Sequence, residues 1–224
     1  KRLYLARRGP ERFVLKTFDA EPPAGVQRAV KLQGPWVAEL IEVGMFDSRH
    51  AAVGEWVDGV PLWVLVADGA LAPRVAVHVA FQVARALSTA HELEEGAVVH
   101  GALDLSHVLC RGDGAVKVCS FGGGARREGR LRAHRGFVAP EVLAGGEADV
   151  LSDVWACGAL SYLLLTGKTP AEAALGRGGE TPAPSAVRPG LGDGLDATLL
   201  EMLAVDPADR AISMRALTAA IDHY

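Results

Sequence analysis

The sequence predicts an α+β chain, a small β-rich lobe followed by a mostly helical one. Two observations carry this. Up to about residue 58 apolar and polar side chains alternate with a period of two, and beyond about residue 70 apolar positions recur every three or four residues. Half of the 224 residues are apolar, enough to bury a proper core in a single domain. The expected division is residues 1–58 for the β-rich lobe and 59–224 for the helical lobe of the same domain.

The elements follow in order. "RLYLARR" and "RFVLKTF" flank the turn "GPE" and read as one hairpin; "VAELIEVGMF" and "HAAVGEW", joined through "DSR", read as another. Between them "AGVQRAVKLQ" (24–33) leaves room for only a short helix before Gly34-Pro35 stops it. "LAPRVAVHVAFQVARALSTAHELEEG" then reads as a long helix with Val75, Val79, Val83, Leu87 and Ala90 on one stripe. "VLC" and "AVKVC" form a further hairpin turned by Asp113-Gly114, and turn chemistry accounts for the "RGD" inside it. After a Gly- and Arg-rich stretch (122–136), helices are expected near 150–166, 195–204 and 213–222, with "GRGGETPAPSAVRPGLGDG" as a loop between the first two.

The charge balance excludes some partners. With 23 basic and 27 acidic side chains the net charge is −4, so nothing draws the whole chain to nucleic acid or an anionic membrane. The three cysteines form no C-x-x-C pair, which points to reduced thiols in the cytosol. Cys110 and Cys119 flank the third hairpin; small buried hydrophobes are the expected reading, a regulatory disulfide the alternative. The most apolar run, "VWACGALSYLLLTG" (154–167), is too short to span a bilayer and suits a buried helix. A start at Lys1 suggests a piece of a longer protein, so the expected location is cytoplasmic, as the cytosolic part of a larger, membrane-anchored chain.

Several short words stand in a telling order: "FVLK" (13–16), "VGEWVDG" (53–59), "HGALDLSH" (100–107), "SFG" (120–122), "APE" (139–141), "SDVWACGALSYLLLTGKTP" (152–170) and "DPADR" (206–210). Together they resemble the protein kinases, particularly the compact bacterial serine/threonine type, across essentially the whole chain. The resemblance implies the two-lobed kinase-like fold. It makes Lys16 the phosphate-pairing lysine, and puts Glu55 and Val57 on the hinge beside the nucleotide pocket. It also makes His100 and Phe121 stacking partners in the regulatory spine, Asp153 the residue holding the catalytic-loop backbone, and Glu141 and Arg210 a buried ion pair.

The departures from that pattern fall on charge. Phosphoryl transfer asks the protein for positioning and charge stabilisation. Where the family has its proton-accepting aspartate this chain has Ala102. Where it holds Mg²⁺ through Asn and Asp the chain has His107 and Ser120, an imidazole and a neutral hydroxyl, both poor partners for a hard dication. The glutamate that pairs with the lysine falls near Gly25, the Gly-rich phosphate cover is not seen, Val14 crowds the adenine site and Gly54 widens its back. His100, His107 and Asp104 make a poor metal cage; satisfied histidines are the simpler reading, as is a snorkelling strand lysine for Lys16.

The segment between Ser120 and Ser152 has no hydroxyl-bearing side chain to phosphorylate, and Gly101 replaces the arginine that would receive the phosphate. It carries Arg126, Arg127, Arg130, Arg132 and Arg135 instead, a candidate surface for a phosphorylated or acidic protein partner or another domain of the same polypeptide, set against a plain solvated loop. No aromatics interleave with these arginines, so nucleic acid is not expected. The resulting expectation is a kinase-like domain that is not an enzyme, with no cofactor and no metal, serving signalling as a protein-binding, scaffolding or allosteric module. An atypical nucleotide-dependent transferase and a small-molecule sensor using the remodelled pocket are the rival readings.

Overall fold

The computed structural model describes residues 2–123, 126–127, 130–131, 135–175, 178–210 and 214, with only the backbone described at 126–127 and 130–131. The alternating N-terminal segments pair as their pattern requires. β1 (Leu3–Arg8) and β2 (Glu11–Phe18) form an antiparallel hairpin with Leu3 opposite Lys16. Next, α1 (Ala24–Arg28) lasts five residues before tightening into a 3-10 turn, with Gly25 in its first turn and no side-chain cap. β3 (Leu40–Phe46) and β4 (Arg49–Glu55) make the second hairpin, turning at Asp47 and Ser48, both at positive φ. The sheet runs β1-β2-β4-β3, so β4 is internal and Ala51 and Ala52 are buried in it.

A second sheet joins three short strands, β5 (Gly59–Pro61), β6 (Val108–Arg111) and β7 (Val116–Val118). The β6–β7 hairpin turns at Gly114, at φ 87°, as the Asp-Gly pair predicts. β5 was not expected, because three residues ending in proline carry no readable period. It leads into the one-turn helix α2 (Leu62–Leu65).

The long helix α3 (Pro73–His91) starts with proline at its first turn, where no N–H is needed. Val79, Val83, Leu87 and Ala90 are buried, but Val75 is 47 % exposed; in the first turn the buried face passes through Ala76, which is fully buried, and Val75 points off it. After α4 (Pro140–Leu143), α5 (Val150–Thr166) packs on α3. Asp149 and Ser152 form its capping box, and Gly167, at φ 76°, ends it. α5 is apolar nearly all round and buried accordingly. Two short helices follow, α6 (Pro170–Ala174), capped by Thr169 and Glu172 and lying before the expected loop, and α7 (Pro184–Val187), which falls inside it. α8 (Asp196–Met202) packs on α5 where Gly158 admits it, since a Cβ there would lie 2.9 Å from Met202 Cβ. The helix expected at 213–222 lies outside the described residues apart from Met214, which is buried.

The two parts are stitched together at one side of the cleft between them. The Ala38 N–H donates to the Val118 carbonyl at 2.9 Å, and the Val118 N–H donates to the Trp36 carbonyl at 2.8 Å. Lys117 reaches from β7 to the Glu55 carboxylate at 2.7 Å and to the Val37 carbonyl at 3.1 Å. All three cysteines are free thiols. No helix among the described residues is long and apolar enough to cross a membrane.

Candidate functional site

The loop 100–107 is held from below by α5. Asp153, 1 % exposed, accepts the backbone N–H of His100 at 2.7 Å and of Gly101 at 2.8 Å, and meets His91 Nε2 at 2.9 Å. The His100 ring is then fully engaged. Its Nδ1 accepts from the Ala102 N–H at 3.2 Å, its Nε2 donates to the Cys119 carbonyl at 3.0 Å, and its edge meets the Phe121 ring 5.0 Å away. One ring nitrogen accepts and one donates, as only a neutral imidazole can. Burial first, then the neighbouring His107, pushes its pKa down to about 4, against the opposing pull of Asp153.

Within this frame the two functional positions of the loop diverge. Ala102 is buried in an apolar cluster with Val138, Ala139 and Val142, so no polar group replaces the missing acid from within that cluster. Asp104 folds back on its own loop, where its Oδ1 accepts from the Ser106 N–H at 2.8 Å, the Ser106 hydroxyl at 2.5 Å and His107 Nδ1 at 2.8 Å. Burial works against the charge on Asp104, but the hydrogen bonds from His107 and Ser106 win and hold it well below the usual carboxylate range. Below, Arg210, with a fully buried side chain, grips Glu141 through two bonds of 2.7 and 2.8 Å and also donates to the Ala204, Leu151 and Val205 carbonyls.

Above the loop lies a cavity of about 230 Å³, bordered by Val14, Lys16, Gly54, Glu55, Val57 and Ser120 among others. Lys16 Nζ crosses it to Ser120 Oγ at 3.2 Å, with Ser120 at φ 73°. Val14 and Gly54 are register partners across β2 and β4, so the bulk added by one sits directly opposite the space opened by the other. The Glu55 carboxylate, counted from sequence among the cofactor contacts, is taken up by Lys117 and by the Glu39 N–H at 3.1 Å, and the Glu55 N–H donates to the Glu39 carbonyl at 2.8 Å. α1 contains no glutamate to offer Lys16, and Gly25, at the position where the resemblance expected one, packs directly on Gly122.

Sequence reading grouped Lys16, Glu55 and Val57 at one site, and the fold brings them together. It missed the Glu55–Lys117 link, whose partners are 62 residues apart, and the Asp104–His107 contact, which only the loop's curl creates. Of the arginines, Arg132 and the side chains of Arg126, Arg127 and Arg130 lie outside the described residues; Arg135 is exposed.

Comparison with known proteins gives this architecture its family. The protein kinase domain profile matches residues 24–185. The chain is 27 % identical over 199 residues to the serine/threonine-protein kinase PrkC of Bacillus subtilis, covering 82 % of this chain and 30 % of that protein. It is 28 % identical over 214 residues to PknB of Mycobacterium tuberculosis, covering 85 % and 34 %. The solved kinase domain of PknI from the same organism superposes with a TM-score of 0.75 at 26 % identity, covering 99 % of this chain and 90 % of that one. This chain therefore belongs to the protein kinase domain family, and it spans about a third of the length of those two curated relatives.

Membership overturns two expectations drawn from the sequence. The reading that the chain is not an enzyme is corrected by the family match and by relatives named as serine/threonine-protein kinases. The reading that it takes no cofactor falls with it, since ATP and Mg²⁺ belong to that family's reaction. Both had treated substituted side chains as a lost reaction, whereas a reaction that runs on positioning and electrostatics is carried by the whole cleft. At the two metal positions the donors present are the Ser120 hydroxyl, bonded to a lysine, and the His107 imidazole, bonded to Asp104. That pair does not fit a hard dication as Asn and Asp would, and the described residues contain no group of three or more His, Cys, Asp or Glu suited to a metal ion.

Proposed function

We infer that the chain is a nucleotide-dependent phosphotransferase of the serine/threonine kinase class with an altered catalytic set, working in signalling as the cytoplasmic kinase-like part of a larger protein. The observation that carries this is the placement of Lys16 inside the interlobe cavity, with its ammonium 3.2 Å from Ser120 at the cavity floor. An ammonium there supplies fixed positive charge to a polyphosphate, while the apolar wall of Val14, Val57 and Leu109 suits the flat face of a base. Backbone groups of the Glu55–Val57 hinge orient that base.

A regulatory role is the second reading, favoured by the backbone contact between α1 and the segment after Ser120, which ties the cavity floor to the helix above it. In this reading the arginines of 126–135 offer a surface to an acidic or phosphorylated protein segment. Calorimetric titration with ATP, with and without Mg²⁺, on the wild type and on Lys16→Met tests the inference. Saturable binding, weakened about tenfold or more in the variant, supports it; absence of binding to the wild type, or equal binding to both, overturns it.

A further inference from the structure

We propose that Asp104 and His107 form a carboxylate–imidazole dyad in which His107 Nε2 is the general base for the acceptor hydroxyl, replacing the function lost at Ala102. The proposal rests on the phosphotransferase reading above. Asp104 Oδ1 accepts from His107 Nδ1 at 2.8 Å, which fixes the tautomer and leaves the lone pair on Nε2. The only hydrogen bonds of the His107 ring among the described residues are on its Nδ1 side, to Asp104 and, at 3.5 Å, to Ser106. The side chain is 19 % exposed against 11 % for Asp104, so the imidazole is the solvent-facing member and the carboxylate the buried orienting one.

Position supports the same assignment. Ser106, the residue before His107, and Leu109, two residues after it, border the interlobe cavity, so His107 lies just behind its wall, and the His107 carbonyl accepts from the Cys119 N–H at 2.9 Å, one residue before Ser120. His100 lies 5.3 Å away, edge to face, but both its nitrogens are engaged and it is buried, so it cannot take this role. Among the described residues the groups that meet the imidazole are Asp104, Ser106 and His100. Asp104 is the positioning residue and is held ionised by its own hydrogen bonds.

The step balances without another reagent. With a nucleoside triphosphate as donor and an alcohol as acceptor, the acceptor oxygen bonds to the γ-phosphorus and its proton passes to His107 Nε2. The bond from the γ-phosphorus to the bridging oxygen breaks, the nucleoside diphosphate leaves with that electron pair, and the imidazolium returns its proton to water.

The test combines single-turnover phosphate transfer from ATP to a pool of serine and threonine peptides with ¹⁵N NMR of the His107 ring. His107→Ala is expected to lose at least about 100-fold in rate, with ATP affinity unchanged and partial rescue by added imidazole. Asp104→Asn is expected to lose rate and to change the ring from a single Nδ1–H tautomer to a mixture. The proposal is overturned by a wild type that binds ATP without transferring phosphate, by transfer that ignores His107, by an unchanged tautomer in Asp104→Asn, or by acid-labile phosphate on His107. Failure to bind ATP at all is a separate outcome and removes the underlying phosphotransferase reading.

Discussion

Gly25 of α1 and Gly122 after Ser120 touch backbone to backbone: a Cβ on Gly122 would lie 2.2 Å from the Gly25 carbonyl carbon, and one on Gly25 would lie 3.0 Å from Gly122 Cα. Gly122 also sits at φ 73°, a left-handed conformation that side chains disfavour. The helix that carries a lysine-pairing glutamate elsewhere in the family therefore presents bare backbone here.

Gly122→Ala should destabilise the chain by about 1–3 kcal/mol from backbone strain alone, with steric overlap added. Denaturant unfolding would show this as a lower midpoint with an unchanged slope. A change within about 0.5 kcal/mol, the range of ordinary surface substitutions, would mean that α1 yields easily.

Glu141→Gln should be strongly destabilising, because it leaves the buried Arg210 charge with neutral partners only. Breaking such a pair costs roughly 3–5 kcal/mol, and the partial exposure of Glu141 places this case toward the lower end. Burial opposes the Glu141 charge, but the Arg210 hydrogen bonds and charge prevail, so its folded pKa lies below the ordinary glutamate value of 4.5. The pair's contribution is therefore complete above that value and is lost as pH falls through the folded pKa. Thermal melts of wild type and variant should converge in acid; parallel curves would contradict the assignment.

His100 adds a second acid-sensitive term. It stays neutral in the fold down to about 4, whereas the unfolded chain takes up the proton near 6.5, so stability declines as pH drops through that interval. His100→Phe should melt lower at pH 7, having lost the hydrogen bonds to Cys119 and Ala102, yet show a shallower decline between 6.5 and 4. An equally steep decline would place the titrating group elsewhere.

Gly54→Met should leave the fold intact and shrink the cavity. The nearest neighbours of a Cβ there are the Glu39 carbonyl at 3.2 Å and a Leu40 methyl at 3.9 Å, a tight but adjustable fit. Nucleotides bearing a bulky group on the base should lose affinity relative to ATP in this variant, measured by titration. Equal loss for both would mean that Gly54 borders the whole ligand and not its rear.

The pattern of alternation, the switch to helical spacing, the Asp-Gly turn and the ordered motif words were enough to place the three hairpins and the helices α1, α3, α5 and α8, and to group Lys16, Glu55 and Val57 at one cleft, because each depends on neighbours a few residues apart. The residues alone also suggested that the chain is not an enzyme and takes no cofactor, and there the inference failed, since the family match and relatives named as serine/threonine-protein kinases point the other way. Only the tertiary structure decided that Asp104 curls back onto His107, that Lys117 spans 62 residues to Glu55, and that Gly25 rests on Gly122. Those contacts come from chain segments brought together by packing of the core, and no local periodicity encodes such a meeting.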